Sequence, residues 1–325
     1  MTVALITGIT GQDGLYMAEL LSQKNYCIVG AVRDVSRAEK TIPEVLRKRI
    51  ELVEWDMLDQ TKMVDVLECF RPKELYNFAA YSSGAGMFDE AASIGDVNGL
   101  AVTRILDAIR IVDPMMRFCQ ASSSEMFGEV GQSPQNELTE FCPRSPYGAA
   151  KAYAHSMIDV YRKKYGLFVC SAILFNHESP RRGHQFVTRK VSYEAARIKL
   201  GLSSELSLGD LDSLRDWGFA GDYVRGLWEM LQQKKADNYV FATGVVHSVR
   251  DLCEIAFAHL DLDYRDYVVS DSQSYRPTER FQLVGDASKA RSELNWVPEM
   301  NFKTLISEMV DSDLQDLIRL TDVNN

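Results

Sequence analysis

Val3-Ala4-Leu5-Ile6-Thr7-Gly8-Ile9-Thr10-Gly11-Gln12-Asp13-Gly14, continuing into Leu15-Tyr16-Met17-Ala18-Glu19-Leu20-Leu21, is the stretch on which the fold turns. A run of strand character, Val3 to Thr7, enters Gly8-x-x-Gly11-x-x-Gly14, and a helical pattern begins at once. Glycine permits the tight turn, lets the backbone approach a pyrophosphate and packs helix on strand, while the helix N-terminus offers N–H donors. Three glycines in a turn can mean only a turn. Their place at the first strand-to-helix junction is the context a dinucleotide fingerprint requires. Gly8, Thr10, Gly11, Gln12, Asp13 and Gly14 are therefore the first candidate cofactor residues.

Outward from that turn, strand and helix patterns alternate. Cys27 to Val32 reads as a second strand ending in Arg33-Asp34-Val35-Ser36-Arg37. An acid here bonds the adenosine ribose and implies NAD, whereas arginine accommodates a 2′-phosphate and implies NADP. Both are present. Arg33 leads and Ser36 and Arg37 come after it, which favours NADP, with a solvated charged loop as the alternative for Asp34. Ile50 to Trp55 reads as a third strand, ending at Asp56, which is placed to bond the adenine amino group. A helix over Thr61 to Phe70, a buried strand Leu75 to Ala80, a long helix through Val97 to Ile111 and the strand Arg117 to Ala121 come next. The alternation predicts a right-handed, mostly parallel, doubly wound α/β sheet of Rossmann type. Ligand chemistry then belongs at the carboxyl ends of the strands.

One such end carries Ala121-Ser-Ser-Ser-Glu-Met-Phe-Gly128, and beyond a loop comes Ser145-Pro-Tyr-Gly-Ala-Ala-Lys151. Tyr147 and Lys151, four apart, share one face of the helix that Pro146 opens. An ammonium there is expected to favour the tyrosinate and bring Tyr147 toward use as a base near neutrality. A solvated helix face is the plain alternative, yet this is the only Tyr-x-x-x-Lys among 14 tyrosines. Ser123 and Glu125, two apart, are expected on an extended segment that points both side chains one way.

Past Lys151 the helix is expected to reach about Tyr165, with an apolar strand Val169 to Phe175. Asn176-His-Glu-Ser-Pro-Arg-Arg-Gly183 then leaves the sheet, and a helix runs from about Val187 through Leu200. Tyr239 to Thr243 is expected to return to the main sheet. The helix Val249 to His259, a strand at Tyr267 and the run Arg276-Pro-Thr-Glu279 read as a smaller lobe. Residues 1–175, with a returning segment around 212–245, are assigned to dinucleotide binding, and 176–325 mainly to an interleaved substrate lobe.

At 325 residues, 46% hydrophobic and 25% charged, the chain has ordinary globular composition. No apolar run reaches the ~18 residues of a membrane span, and the start, straight into a strand, leaves no leader expected. The net charge of −10 argues against nucleic-acid or membrane-surface binding. Six scattered cysteines without a Cys-x-x-Cys pair suggest free thiols in a reducing, cytoplasmic setting. The five histidines show no ligand spacing, so no metal is expected.

The glycine turn, the Ser-Ser-Ser-Glu run, Arg144-Ser-Pro-Tyr-Gly-Ala-Ala-Lys151, Asn176 to Gly183, Val187-Thr-Arg-Lys190 and Arg215-Asp-Trp-Gly218 together closely resemble the GDP-mannose 4,6-dehydratase family. It belongs to the extended short-chain dehydrogenase/reductases. The resemblance runs from about Val3 to Pro298. It implies that Ser123, Glu125, Tyr147 and Lys151 are catalytic. It also implies that Met57, Phe78, Ala79, Ala80, His177 and Arg182 join the NADP site, and that Ser82, Asn176, Lys190, Arg215, Arg276 and Glu279 wall a GDP-sugar pocket. A homodimer or homotetramer is implied as well. General alternatives stand beside two of these: a satisfied core histidine for His177, and a plain ion pair with Asp216 for Arg215. The chain departs from the family at Tyr81-Ser-Ser-Gly-Ala-Gly-Met87, at Arg280-Phe281, and at Arg33-Asp34 in place of an arginine pair. The first departure leaves a GDP-heptose open as the substrate, and an epimerase or 4-ketoreductase is the neighbouring activity. An acid at Glu125 separates dehydration from those two, because neither has a use for it.

Overall fold

The computed structural model describes residues 1–82, 88–271 and 282–323. Its strands are β1 Val3–Thr7, β2 Cys27–Val32, β3 Ile50–Glu54, β4 Glu74–Asn77, β5 Arg117–Ser123, β6 Val169–Leu174, β7 Asn176–Glu178, β8 Leu206–Leu208, β9 Leu214–Phe219, β10 Tyr239–Phe241, β11 Val246–Ser248 and β12 Val268–Ser270. The helices are α1 Gln12–Gln23, α2 Val35–Thr41, α3 Glu44–Arg47, α4 Gln60–Phe70, α5 Ala91–Ile94, α6 Ala101–Val112, α7 Pro146–Tyr165, α8 Val187–Lys199, α9 Ala220–Gln232, α10 Val249–Ala258, α11 Ser288–Leu294 and α12 Phe302–Val323.

Seven strands form a parallel sheet in the order β10-β6-β5-β4-β1-β2-β3. Helices cover both faces, so the strands read as continuous apolar runs. The period of two is still visible in β1. Ala4 and Ile6 join one apolar cluster with Met17, Leu21 and Leu227, while Leu5 joins the other with Ile105, Phe118 and Ile158. The doubly wound fold is the one the alternation implies.

Several boundaries differ from expectation. β4 ends at Asn77, so Phe78 to Ala80 form a coil leaving the sheet. The long helix before β5 enters through a π-helical turn, Gly95–Leu100, ahead of α6. Asn176 leaves the main sheet as expected and starts a strand of a second sheet, β11-β9-β7. A third apolar cluster gathers Val191, Leu252, Phe257, Leu305 and Ile306 from α8, α10 and α12. Among the described residues no helix is long and apolar enough to cross a membrane.

Candidate active site

The carboxyl ends of β1, β4 and β5 bring the site together, beginning at the glycine turn. Gly8 has φ +66°, and a Cβ there would lie 2.8 Å from the Ala79 amide nitrogen. Glycine alone meets both demands. Gly11 caps α1 with no side-chain hydrogen bond, so no cap side chain occupies the orphan N–H groups of the first turn. A backbone cradle with unclaimed N–H donors fits a dinucleotide pyrophosphate.

Around the adenosine end, Asp34 accepts the Arg37 N–H at 2.9 Å and so caps α2. A capping role accounts for the acid without a ribose. Arg33, Ser36 and Arg37 lie beside it, all three exposed. Asp56 is exposed and accepts the Leu58 N–H at 2.9 Å, while Met57 is buried with its sulfur 3.3 Å from the Trp55 indole nitrogen.

Gln12 and Asp13 tie the turn to β7. Gln12 donates to the His177 carbonyl at 3.0 Å and accepts from Ser179 Oγ at 2.7 Å. Asp13 Oδ2 lies 3.0 Å from His177 Nε2, and the Phe175 carbonyl lies 2.8 Å from Nδ1. Both ring nitrogens face acceptors, so the ring is held as the imidazolium. Burial opposes that charge, but Asp13 outweighs it and raises the His177 pKa. Burial likewise opposes the Asp13 carboxylate, and His177 with Arg182 holds its pKa below the usual range. His177 is thus an ion-paired link, stacked on Tyr223 with centroids 4.9 Å apart, and not a neutral core histidine. Arg182 is half-buried, its Nε 3.1 Å from Glu178.

Ser145 caps α7 by accepting the Gly148 N–H at 3.1 Å, with Pro146 at the first helical position. At Gly148 the helix touches the turn after β5 backbone to backbone: a Cβ would stand 2.5 Å from the Glu125 carbonyl oxygen. That approach sets Tyr147 beside Ser123 and Glu125. The extended geometry expected for those two is corrected here. Ser123 ends β5, and Ser124–Met126 is a 3₁₀ turn in which the Glu125 N–H donates to Ser123 Oγ at 3.2 Å.

The electrostatics also correct an expectation. Burial pushes the Tyr147 phenol up to about 12; a hydrogen bond with Ser123 pulls it down, the Glu125 charge pushes it up, and Arg182 pulls it down. Burial pushes Lys151 down to about 8, opposed by Asp13. Lys151 Nζ sits 5.7 Å from the Tyr147 ring centroid and donates to the Ala121 carbonyl at 2.7 Å. Lys151 alone therefore does not bring Tyr147 to neutrality, because desolvation of the pair outweighs their mutual attraction.

Of the sugar-side residues, Ser82 is exposed, Asn176 is half-buried on β7, and Lys190 is exposed with Nζ on the Ser207 carbonyl at 2.6 Å. Arg215 is half-buried on β9. Its neighbour Asp216 is buried and accepts from Thr243 N and Oγ1, Gly244 N and Gly285 N, so that carboxylate acts as a backbone clamp. Arg276, Glu279, Arg280 and Phe281 lie outside the described residues, as do residues 83–87 of the departing loop. Sequence reasoning missed Asn98, buried in the π-helical turn, which takes the Tyr81 N–H at 2.8 Å and gives to its carbonyl at 2.9 Å. It also missed Thr7, Asn77 and Gln120. Their signal was polarity inside strands covered on both faces.

Comparison with known proteins gives one family. The family model for GDP-mannose 4,6 dehydratase matches residues 5–309. GDP-mannose 4,6 dehydratase 2 of Arabidopsis thaliana is 44% identical over 325 residues, covering 96% of this chain and 87% of its own. Among solved structures, RMD from Pseudomonas aeruginosa complexed with NADPH is similar at TM-score 0.83 and 21% identity, covering 97% of this chain and 100% of its own. The dTDP-glucose 4,6-dehydratase of Bacillus anthracis in complex with NAD is similar at TM-score 0.84 and 20% identity, covering 97% of each chain. At such identities the structures establish the fold alone.

Proposed function

The chain belongs to the GDP-mannose 4,6-dehydratase family, hydro-lyases of nucleotide-sugar metabolism, and we propose that it converts GDP-mannose to GDP-4-keto-6-deoxymannose with NADP as its resident cofactor. The observation that carries this reading is the meeting of α7 with the Ser124–Met126 turn, which sets a phenol, a hydroxyl and a carboxylate side by side next to a buried lysine. An epimerase or ketoreductase needs the phenol but not the carboxylate.

Gly8, Gly11 and Gly14 with the α1 N-terminus would hold the pyrophosphate, and Arg33, Ser36 and Arg37 the 2′-phosphate. With Asp34 engaged as a helix cap, the arginines decide, and NADP is favoured over NAD. Bound NADP would accept a hydride from sugar C4, return it at C6, and lend a positive charge near the phenol. Tyr147, in the tyrosinate form that this charge would favour, takes the 4-OH proton on Oη, assisted by Ser123. Glu125 takes the C5 proton and passes it to the departing C6 hydroxyl, so it ends the elimination as it began. Tyr147 has then gained one proton and C5 must regain one, which balances the cycle. Asn176, Lys190 and Arg215, with Arg276 and Glu279, would hold the GDP-sugar.

Residues 1–175, with the return around 212–245, serve the cofactor, and 176–325 mainly the sugar nucleotide, supported by the separate apolar cluster of α8, α10 and α12. We assign self-association as a homodimer or homotetramer to the face of α6 and α7, where Ile111, Tyr153, Val160 and Tyr165 are exposed. The buried thiols Cys119, Cys170 and Cys253 suit the cytoplasm.

The test is the mass of the product. Wild type with GDP-mannose should yield a nucleotide sugar lighter by one water, with NADP⁺ binding tighter than NAD⁺ in parallel titrations. Glu125→Gln should oxidise C4 and accumulate NADPH without losing water, since an amide neither takes the C5 proton nor gives one to C6–O. Unchanged mass from wild type would overturn dehydration. Normal dehydration by Glu125→Gln would overturn only the role of Glu125.

A further inference from the structure

Three polar side chains stand where a parallel sheet covered on both faces calls for apolar ones. Thr7 on β1, Asn77 on β4 and Gln120 on β5 are 1%, 2% and 1% exposed. They are register partners across neighbouring strands, Thr7 with Asn77 and Asn77 with Gln120. Thr7 Oγ1 donates to Asn77 Oδ1 at 2.5 Å, and Asn77 Nδ2 donates to Gln120 Oε1 at 2.6 Å. Gln120 Nε2 donates to the Ala121 carbonyl at 2.8 Å, and that same oxygen accepts Lys151 Nζ at 2.7 Å. At the far end the Ala79 N–H donates to Thr7 Oγ1 at 3.2 Å.

The chain of bonds has one direction. The Ala79 N–H can only donate and the Ala121 carbonyl can only accept, so neither amide between them can flip. Holding three strands together does not require this arrangement, because apolar side chains of the same shape would serve the sheet as well. What the chain does determine is the state of one carbonyl. That oxygen has two lone-pair directions; Gln120 occupies one, and Lys151 is left the other. Lys151 carries its charge on a four-carbon stem with many rotamers, and one fixed acceptor removes most of that freedom. The row also ends at Ala79, against which the Gly8 turn packs, so cofactor cradle and lysine share one rigid frame.

We infer that Gln120, backed by Asn77 and Thr7, is the positioning residue for Lys151, an inference that rests on the catalytic assignment of Tyr147 and Lys151 above. Gln120, 1% exposed, is too deeply buried to reach a sugar or cofactor; it acts through the Ala121 carbonyl.

Gln120→Met keeps the volume and removes both hydrogen bonds. Lys151 loses its tether's geometry, and misplacement of about an ångström costs up to about 100-fold in turnover. The expected result is a kcat lower by about 10- to 100-fold, with KM for GDP-mannose and the NADP⁺ dissociation constant within about twofold of wild type, measured where thermal scans show the variant folded. Asn77→Leu should lower kcat similarly, and the double variant should lose little more than either single one, as members of one chain do. A merely structural role would lower the melting temperature and leave kcat of the folded protein unmoved. If Gln120→Met turns over within twofold of an active wild type, or if the two losses multiply, the inference is overturned. A wild type that does not dehydrate GDP-mannose overturns the functional reading instead.

Discussion

Tyr147 and Lys151 stand one helical turn apart, and burial acts on both against their charged forms. For Lys151 the consequence for stability has a definite sign. The folded pKa of about 8 lies below the ordinary 10.5, so below pH 8 both states are protonated and folding bears the full cost of a buried ammonium. That cost fades as pH rises from about 8 to 10.5, where the unfolded chain also loses its proton. Lys151→Met should therefore be inactive yet more stable than wild type at pH 7, by up to about 3 kcal/mol, with the gap closing toward pH 10.5. Denaturant melts of both proteins across that range decide it, and a gap that is constant with pH would refute the assignment. The sequence displayed this pair and its spacing plainly. It could not display the direction of the pKa shifts, because four residues of spacing say nothing about how much water the fold removes. His177 shows the same divide. Its candidacy was visible in the Asn-His-Glu-Ser-Pro run, but its imidazolium depends on Asp13, 164 residues away in the chain.

At the scale of elements, the site depends on one backbone approach, that of α7 to the Ser124–Met126 turn at Gly148. Gly148 is helical and has no need of an unusual φ, so the demand is steric alone. Gly148→Ala would place a Cβ 2.5 Å from the Glu125 carbonyl, and backbone there cannot swing aside as a side chain would. The expected outcome is a loss of about 1–3 kcal/mol in stability, as for other overpacked contacts. Turnover should fall by about 10-fold or more, since Tyr147 and Glu125 are pried apart. Circular dichroism melts and product assays check the two effects, and wild-type turnover would mean the approach is not what aligns them. The parallel, doubly wound sheet was legible in the alternation of patterns, since right-handed crossovers leave few topologies. Local departures were not. The π-helical turn at Gly95–Leu100 packs against α7, and β4 ends where the Gly8 turn crowds Phe78 and Ala79, both contacts between segments far apart in the chain. Asp34 admitted both a ribose ligand and a solvated loop residue in the sequence, because an acid at a strand end fits either and its capping bond to Arg37 shows only in the fold.

For the whole molecule, the question is what keeps the helices of the third apolar cluster in register with the cofactor turn. Part of the answer is a buried ion pair. Arg189 on α8 meets Asp313 on α12, Nε to Oδ1 at 2.8 Å and Nη2 to Oδ1 at 2.6 Å, while Ser192 Oγ donates to Oδ2 at 2.6 Å. Arg189 also donates to the Arg182 carbonyl at 3.3 Å, linking α12 to the loop that carries a candidate cofactor residue. With the Arg189 side chain 9% and Asp313 1% exposed, both charges have left water, and each depends on the other for compensation. Asp313→Ala should then cost about 3–5 kcal/mol, most of it from a guanidinium left buried alone. Replacing both partners, Arg189→Met with Asp313→Leu, should recover much of that loss, because an apolar pair needs no compensation. Thermal or denaturant unfolding of the single and double variants measures the difference. If the double variant is no better than Asp313→Ala, the pair contributes specific geometry to the α8–α12 contact beyond neutralising charge; if Asp313→Ala costs less than about 1 kcal/mol, as an exposed pair would, the helices are held by their apolar faces alone and the ion pair is incidental.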